Sequence, residues 1–152
     1  MAEYVSYQNP QTVAVDQNVL LIDTIPCNKG YVLHRNGSGI LTLRGATCGC
    51  ARFARYQVTF NGNIAIPTGG TVGPIAIALA VNGEPRQTSR AIFVPAAVDT
   101  YGNVTSTAII TVPKGCCFTL SVRYVAADED PATTPTPVIE MQNANLVINR
   151  VA

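Results

Sequence analysis

The chain has 152 residues and a formal net charge of +1, and 12% of its residues are charged, whereas about 25% is usual in soluble proteins. Because 47% of the residues are hydrophobic, a disordered chain is excluded, and the length suits one domain with its own core. Ten basic and nine acidic residues exclude a protein that binds nucleic acid through a basic surface. With so few charges a monomer would lack solubilising surface, which indicates that other subunits cover part of the outside.

Residues 1–18 are polar and irregular, and they predict an arm or connector outside the packed domain. Tyr4, Tyr7 and Pro10 are the arm residues expected to contact a partner. The N-terminus lacks the basic start and the apolar stretch of a signal peptide, and no apolar run is long enough to cross a bilayer. The sequence therefore predicts a protein that folds in a cytosol.

Residues 19–152 predict a single all-β domain. Val and Ile together outnumber Leu by 29 to 8, which is typical of β-sheet. Turn residues separate short apolar runs and predict nine strands and no helix, at 19–25, 31–34, 40–43, 56–66, 75–81, 91–94, 104–112, 118–126 and 138–148. The pairs Asn36-Gly37, Asn61-Gly62 and Asn82-Gly83 predict tight turns between strands. Strands at this spacing favour an antiparallel sandwich or barrel.

The side-chain period of two assigns faces to these strands. In the run 55–60, Tyr56, Val58 and Phe60 point to one face and the polar residues between them point to the other. The run Ile75–Val81 alternates large apolar residues with alanines, so neither face is polar. We expect this strand to be buried on both sides, with the alanine side against another element or another subunit.

Two segments predict exposed loops. Asp128, Glu129 and Asp130 precede a tract rich in Pro and Thr that cannot pack into a core. Three adjacent acidic residues could bind calcium but are expected to be solvated. Tyr101, between Thr100 and Gly102, is the tyrosine expected to be presented on a loop.

The five cysteines form an odd set in a chain without an export signal, and we expect most of them to be reduced, small core residues: Cys27, Cys48, Cys50, Cys116 and Cys117. A disulfide among them remains open. A four-thiolate zinc site from Cys48, Cys50, Cys116 and Cys117 also remains open, although Cys-Gly-Cys and Cys-Cys fit the usual zinc spacing poorly.

Catalytic chemistry finds little support in the sequence. His34 is the single histidine, and no Ser or Cys lies in a nucleophile context beside it. We expect His34 to be hydrogen-bonded or solvated rather than catalytic. Gly37-Ser38-Gly39 and Gly69-Gly70 are not followed by Gly-Lys-Ser/Thr and a helix, so they do not predict a phosphate site. No cofactor, no resident metal and no enzymatic activity are expected.

Five stretches together resemble the trimeric jelly roll of the complement-C1q and tumour-necrosis-factor type, more narrowly its bacterial and bacteriophage branch: 54–60, 68–75, 77–84, 112–115 and 143–148. The resemblance implies an antiparallel jelly-roll sandwich that assembles as a homotrimer, with the C-terminal strand near the threefold axis. With the alanine strand, it leads us to expect trimer contacts at Tyr56, Ala76, Ala78, Ala80, Tyr124, Leu146 and Ile148. No Gly-X-Y repeat precedes the domain, so a collagen stalk is not expected.

The function implied is that of a non-enzymatic virion structural protein, a capsid decoration or head-fibre protein assembled in the cytoplasm of a bacterial host. Its partner would be the major capsid protein or another shell protein, held through the arm at residues 1–18. The alternative is a bacterial surface module or phage receptor-binding module that recognises a glycan or protein through its exposed loops. Neither nucleic acid nor a membrane is an expected partner.

Overall fold

The computed structural model describes residues 2–25, 30–34, 37–47, 49–127 and 137–152. They form twelve strands and one short 3-10 helix at Gln87–Ser89. The strands are β1 (Ala2–Tyr7), β2 (Gln11–Val13), β3 (Asp23–Ile25), β4 (Val32–His34), β5 (Ile40–Arg44), β6 (Phe53–Ala65), β7 (Ile75–Val81), β8 (Glu84–Pro85), β9 (Ala91–Phe93), β10 (Gly102–Pro113), β11 (Cys117–Val125) and β12 (Ile139–Arg150). Within the described ranges, no helix combines the length and apolar character that crossing a membrane demands.

Two antiparallel sheets pack face to face. Sheet A has the order β10-β6-β12-β1-β3, and β2 pairs with β12 as well. Sheet B has the order β4-β5-β11-β7-β8, with β9 also on β7. Each sheet takes strands from distant parts of the chain, which is the connectivity of a jelly roll and confirms the predicted all-β antiparallel sandwich.

The core lies between the sheets and is filled by alternate residues of the long strands. Tyr56, Val58 and Phe60 on β6 are fully buried, whereas Arg55 and Gln57 between them are exposed. The predicted assignment of faces on this strand is confirmed. The Tyr56 hydroxyl donates to the carbonyl oxygens of Tyr31, at 3.2 Å, and of Arg44, so the largest core side chain carries its polar atom to hydrogen-bond acceptors at the sheet edge.

Strand β7 occupies the interior of sheet B and is buried on both faces, as predicted. Ile75, Ile77 and Leu79 point into the core between the sheets. Ala76 and Ala78 point outward and form a separate small apolar cluster with Val125. Whatever covers this outer side of β7 decides whether it can contact another subunit.

One of the predicted turns is confirmed and another is wrong. Asn82 and Gly83 have φ of 53° and 83° and connect β7 to β8 in a tight turn. Asn61 and Gly62 do not form a turn, because they lie inside the thirteen-residue strand β6, where Gly62 pairs with Val104. A side chain at Gly62 would begin 3.0 Å from the Phe60 ring, so the glycine makes room for that ring.

The N-terminal residues differ from the predicted arm. Strand β1 pairs with β12 on one side and with β3 on the other, and β2 pairs with β12. Val5 and Val13 belong to the main core. The prediction failed because β1 and β2 each bury few side chains, so their apolar pattern in the sequence is weak although their backbones are paired.

Candidate functional site

The outer edge of sheet A is a long strand without a charged residue. β10 has twelve residues, and in the described chain it pairs with β6 alone, so its other edge is open. Edge strands of soluble proteins are usually short or carry charges that prevent pairing with another chain. β10 has neither protection, which makes this edge the first candidate for contact with a partner.

The outward side chains of β10 and β6 form one neutral surface, which we call the uncharged face. Four come from each strand, and they are Asn103, Thr105, Thr107 and Ile109 with Asn63, Asn61, Thr59 and Gln57 directly opposite. Beyond β6, the half-buried residues Gln142, Asn145, Val147 and Asn149 of β12 continue it. None of these twelve outward side chains of sheet A carries a charge.

Hydrogen bonds within the uncharged face hold its side chains in place. The Asn103 side-chain nitrogen donates to the Asn61 side-chain oxygen at 2.6 Å, and the Thr105 hydroxyl donates to the same oxygen at 3.2 Å. The hydroxyls of Thr59 and Thr107 are 3.2 Å apart. Because these groups satisfy one another, covering them costs less than covering unpaired amides.

The uncharged face ends in exposed apolar side chains. Ile109 is 68% exposed, the largest exposed fraction among the large hydrophobic residues of the structure. Phe53, further along β6, is 37% exposed and lies under the guanidinium of Arg55, 4.7 Å from the ring centroid. A neutral amide–hydroxyl surface that ends at Ile109 and at the Phe53–Arg55 pair is suited to association with another protein surface.

Four of the residues expected at a trimer interface lie in the protomer core instead. Tyr56, Tyr124 and Leu146 are fully buried, and Ile148 is 1% exposed. All four belong to the main core cluster between the two sheets. They cannot reach another subunit, so the expectation is wrong for them: alternation identifies a buried side chain but not the surface that buries it.

The alanines of β7 are covered by their own chain. Ala76 and Ala80 are fully buried and Ala78 is 1% exposed. Arg90, beside β9, donates from Nη1 to the carbonyl oxygen of Ala127, beyond the end of β11, at 3.0 Å. Since β7 lies between β9 and β11, the Arg90 side chain has to cross the alanine side of β7. The expected subunit contact at these alanines is therefore wrong, because an arginine stem supplies the cover.

The three residues expected to act as a partner-binding arm remain accessible in part. Tyr4 lies on β1 with 38% of its surface exposed, Tyr7 at the end of β1 is half-buried, and Pro10 is exposed between β1 and β2. They belong to a folded sheet, so any partner that they contact meets a fixed surface rather than a peptide.

Tyr101 lies one residue before β10 at one end of the sandwich and is 37% exposed. Burial, followed by its hydrogen bond to the Glu140 carboxylate and the nearby Asp99 charge, raises the pKa of Tyr101 to about 12. Asp99 also accepts a hydrogen bond from the Thr68 hydroxyl. The predicted loop residues Asp128, Glu129 and Asp130 lie outside the described residues.

His34 is held by hydrogen bonds on both ring nitrogens, as the sequence predicts. Nε2 is 2.7 Å from the Ser38 carbonyl oxygen, an acceptor, so the proton lies on Nε2. Nδ1 then accepts from the hydroxyl of Thr24. Thr24 lies on β3 of sheet A and His34 on β4 of sheet B, so this pair joins the two sheets at one edge.

The described cysteines are free thiols, but they are not core residues. Cys50, Cys116 and Cys117 are exposed, whereas Cys27 and Cys48 lie outside the described residues. The three are close to one end of the sandwich, where Gly45 donates to the Cys116 carbonyl at 2.9 Å and Lys114 Nζ donates to the Gly49 carbonyl at 3.0 Å. The expectation of buried thiols is wrong for these three, because turns rather than strand interiors carry Cys50 and Cys116.

The uncharged face has a signal in the sequence, which is the pattern of residues 103–109. Residues 103–109 alternate Asn, Thr and Ile on one side with smaller or buried residues on the other, and none is charged. A strand with such a side usually faces either a core or a partner. The position of β10 at the edge of sheet A, which only the fold reveals, makes the partner the better explanation.

Solved structures of the same architecture are similar to this chain. The globular domain of a zebrafish complement 1qA protein is 14% identical, with 99% of this chain and 96% of that chain covered and a TM-score of 0.66. The Eiger TNF of S. frugiperda is 11% identical, with coverage of 100% and 92% and a TM-score of 0.65. No protein-family model matches the chain, and no curated protein matches its sequence. The order of the two sheets and these likenesses together identify the fold as the jelly roll of C1q and TNF globular domains.

Proposed function

We propose that this chain is a non-enzymatic structural subunit that assembles as a homotrimer through the open edge of sheet A. The observation that carries the proposal is β10, a twelve-residue edge strand without a charge. Its side chains and those of β6 form the uncharged face, and Ile109 is exposed at the end of that face. Left open, such an edge invites pairing with another chain and aggregation.

A homotrimer covers this edge in every subunit with one repeated contact. Closed symmetry removes an exposed surface without leaving a free end, so the assembly does not grow into a fibre. Obligate interfaces bury about 2,000 Å² or more and are depleted in charge at their centre. The uncharged face on β10 and β6 has that composition. The proposed subunit contact therefore lies at β10 and not at the alanine side of β7, because the chain itself covers those alanines.

The further part of the proposal is the role of the trimer. We propose that it decorates a virion capsid or forms a head fibre, with the major capsid protein or another shell protein as its partner. The resemblance of stretches 54–60 and 68–75 to bacteriophage jelly rolls supports this role. Since β1 is paired on both sides, the attachment would use a folded surface, on which Pro10 is exposed.

The oligomeric state is tested by light scattering after size exclusion at micromolar concentration. We expect a single species of three times the 16.1 kDa chain mass. Thr107→Lys and Ile109→Lys place a charge on the open edge and should lower the mass towards that of one chain, because burying an unpaired charge is costly. Thr119→Lys, exposed on β11 of sheet B, is the matched control and should leave the mass unchanged.

A folded wild-type species of one chain mass would overturn the trimer. If the lysine variants do not fold, Ile109→Thr tests the same contact, because it keeps the β-branched shape and adds no charge. Its trimer should dissociate at a higher protein concentration than the wild-type trimer. The virion role is tested separately by labelling native particles of the source with an antibody against the folded trimer. Particles without label, in a preparation whose capsid protein is intact, would overturn that role and leave the trimer untouched.

A further inference from the structure

A small pocket lies where β12 departs from regular pairing with β6. The pairing is regular up to Gln142 opposite Asn63, shifts, and resumes with Asn145 opposite Asn61. Asn143 in this bulge has φ of 55°, a left-handed conformation that Asn tolerates better than most residues. β-bulges of this kind re-aim side chains and are frequent next to binding sites. Here the bulge opens the sheet surface beside β1.

The pocket has a volume of about 300 Å³ and is lined by Tyr4, Ser6, Gln8, Asn143, Ala144 and Asn145. Tyr4 contributes an aromatic ring of which 38% is exposed. The other polar groups are one hydroxyl and three primary amides, each amide offering two donors and an acceptor. None of the lining side chains carries a charge.

This chemistry limits the class of ligand. An anionic ligand would be desolvated without a counter-charge among the lining residues, and Asp23, opposite Ser6 on β3, would repel it further. A purely apolar ligand would leave the amides without partners. A neutral polyhydroxyl compound satisfies both requirements, because its hydroxyls pair with the amides and its C–H face packs on an aromatic ring.

Contacts within the chain hold the pocket in shape. The Asn143 backbone N–H donates to the Gln8 carbonyl at 3.2 Å, which ties the bulge to the turn after β1. The Asn145 side-chain nitrogen donates to the Asn143 carbonyl at 3.3 Å. Because both walls are fixed before a ligand arrives, little conformational entropy is lost on binding.

We propose that this pocket binds one ring of a neutral saccharide, which stacks on Tyr4 and forms hydrogen bonds with the amides of Gln8, Asn143 and Asn145. The volume is at the small end for ligand sites, which suits one or two sugar units. The site goes beyond the proposed function, since it requires neither the trimer nor a capsid. It is also distinct from the loop end at Tyr101.

The test uses the full chain on an array of neutral, sialylated and sulfated glycans, followed by ligand-observed NMR titration with the strongest neutral sugar. We expect binding to neutral glycans, weakened by about tenfold or more in Tyr4→Ala and in Asn143→Gly. Asn143→Gly removes the amide but keeps the left-handed backbone, so the bulge survives. Gln87→Ala, an exposed amide on the 3-10 helix outside both the pocket and the uncharged face, is the control and should bind like the wild type.

Four results would overturn the site. One is equal sugar affinity in the wild type, Tyr4→Ala and Asn143→Gly. Another is sugar binding that is lost on deleting residues 128–136 while both pocket variants still bind, which would place the glycan at the loops instead. Absence of any neutral-glycan signal, or preference for sulfated glycans, would equally contradict a neutral saccharide. Light scattering on the same variants separates loss of sugar binding from loss of assembly.

Discussion

The hydroxyl of Tyr124 donates a 2.6 Å hydrogen bond to the carbonyl oxygen of Pro137. Tyr124 is a fully buried residue near the end of β11, and Pro137 precedes β12. The bond therefore fixes the distance between the two ends of the segment 128–136. Burial raises the pKa of Tyr124 to about 12, so the phenol keeps the proton that this bond requires.

Replacing Tyr124 by Phe should lower the free energy of unfolding by about 1–2 kcal/mol, because the ring stays packed while the Pro137 carbonyl loses its donor. Urea unfolding at one fixed protein concentration measures the change. Tyr4→Phe removes the same atom from an exposed tyrosine and should stay within about 0.5 kcal/mol of the wild type. If both variants lowered the free energy of unfolding equally, the hydrogen bond to Pro137 would make no particular contribution to stability.

Stability should fall in alkaline solution because the folded protein raises the pKa of three tyrosines, and burial is the first cause for each, Tyr56 included. The folded pKa values of Tyr101 and Tyr124 are raised from 10.0 to about 12. Between these values the unfolded chain releases phenolic protons that the folded chain retains. Their contribution to the free energy of unfolding is therefore complete below pH 10 and decreases as the pH rises towards 12.

Phenolate absorbance and urea midpoints across this pH range test the assignment together. Three tyrosines should titrate late in the folded protein, Tyr56, Tyr101 and Tyr124, because burial raises the pKa of each. Tyr124→Phe should make the alkaline loss of stability shallower. A folded protein in which every tyrosine titrates near pH 10 would contradict the burial of Tyr124.

Ala78→Leu should destabilise the protomer without dissociating an assembly. Ala78 is 1% exposed and lies opposite Arg123 on β11, so extra methyl groups have no free volume to enter. Overpacking of this kind costs about 1–3 kcal/mol. Thermal unfolding measures the cost, with Ala97→Leu at an exposed position as the control. If Ala78→Leu dissociated the trimer and left the protomer stability unchanged, the alanine side of β7 would be a subunit contact after all.

Thiol reactivity distinguishes exposed from buried cysteines. Cys50, Cys116 and Cys117 are exposed, so at least three equivalents should react quickly with Ellman's reagent in the native protein. Unfolding should raise the total to five, the number of cysteines in the sequence. Each of Cys50→Ser, Cys116→Ser and Cys117→Ser should remove one fast equivalent. Fewer than three fast thiols in the wild type would show that this end of the sandwich is covered in solution.

The strands could be predicted from the sequence because their evidence is local. The run Ile75–Val81 coincides with β7 residue for residue, and the burial of alternate residues on β6 follows from the period of two. β1 could not be predicted in the same way, since among the side chains described for it, Tyr4 to Tyr7, Val5 alone lies in the core. Its structure depends on pairing with β12, more than a hundred residues away in the chain.

The candidate site was less accessible to sequence analysis, because it depends on where each strand lies in the sheet. Leu146 and Ile109 are both apolar residues on long strands, yet one is fully buried and the other is 68% exposed. The difference is that Leu146 points between the sheets, whereas Ile109 points away from them at the edge. Similarly, alternation predicted that Ala78 is covered but could not identify Arg90 as part of that cover.

The pairing of β1 with β12 also governs how the chain can fold. Val5 pairs with Leu146 in sheet A, so β1 stays without its main partner until β12 has left the ribosome. Contacts of such large sequence separation are formed slowly, in roughly milliseconds to seconds for β-sandwiches. During this interval β1 can pair with β3 but not with its larger partner. Sheet A of a nascent chain will therefore be completed only after β12 has been synthesised, and the yield will depend on how long the early strands wait for it.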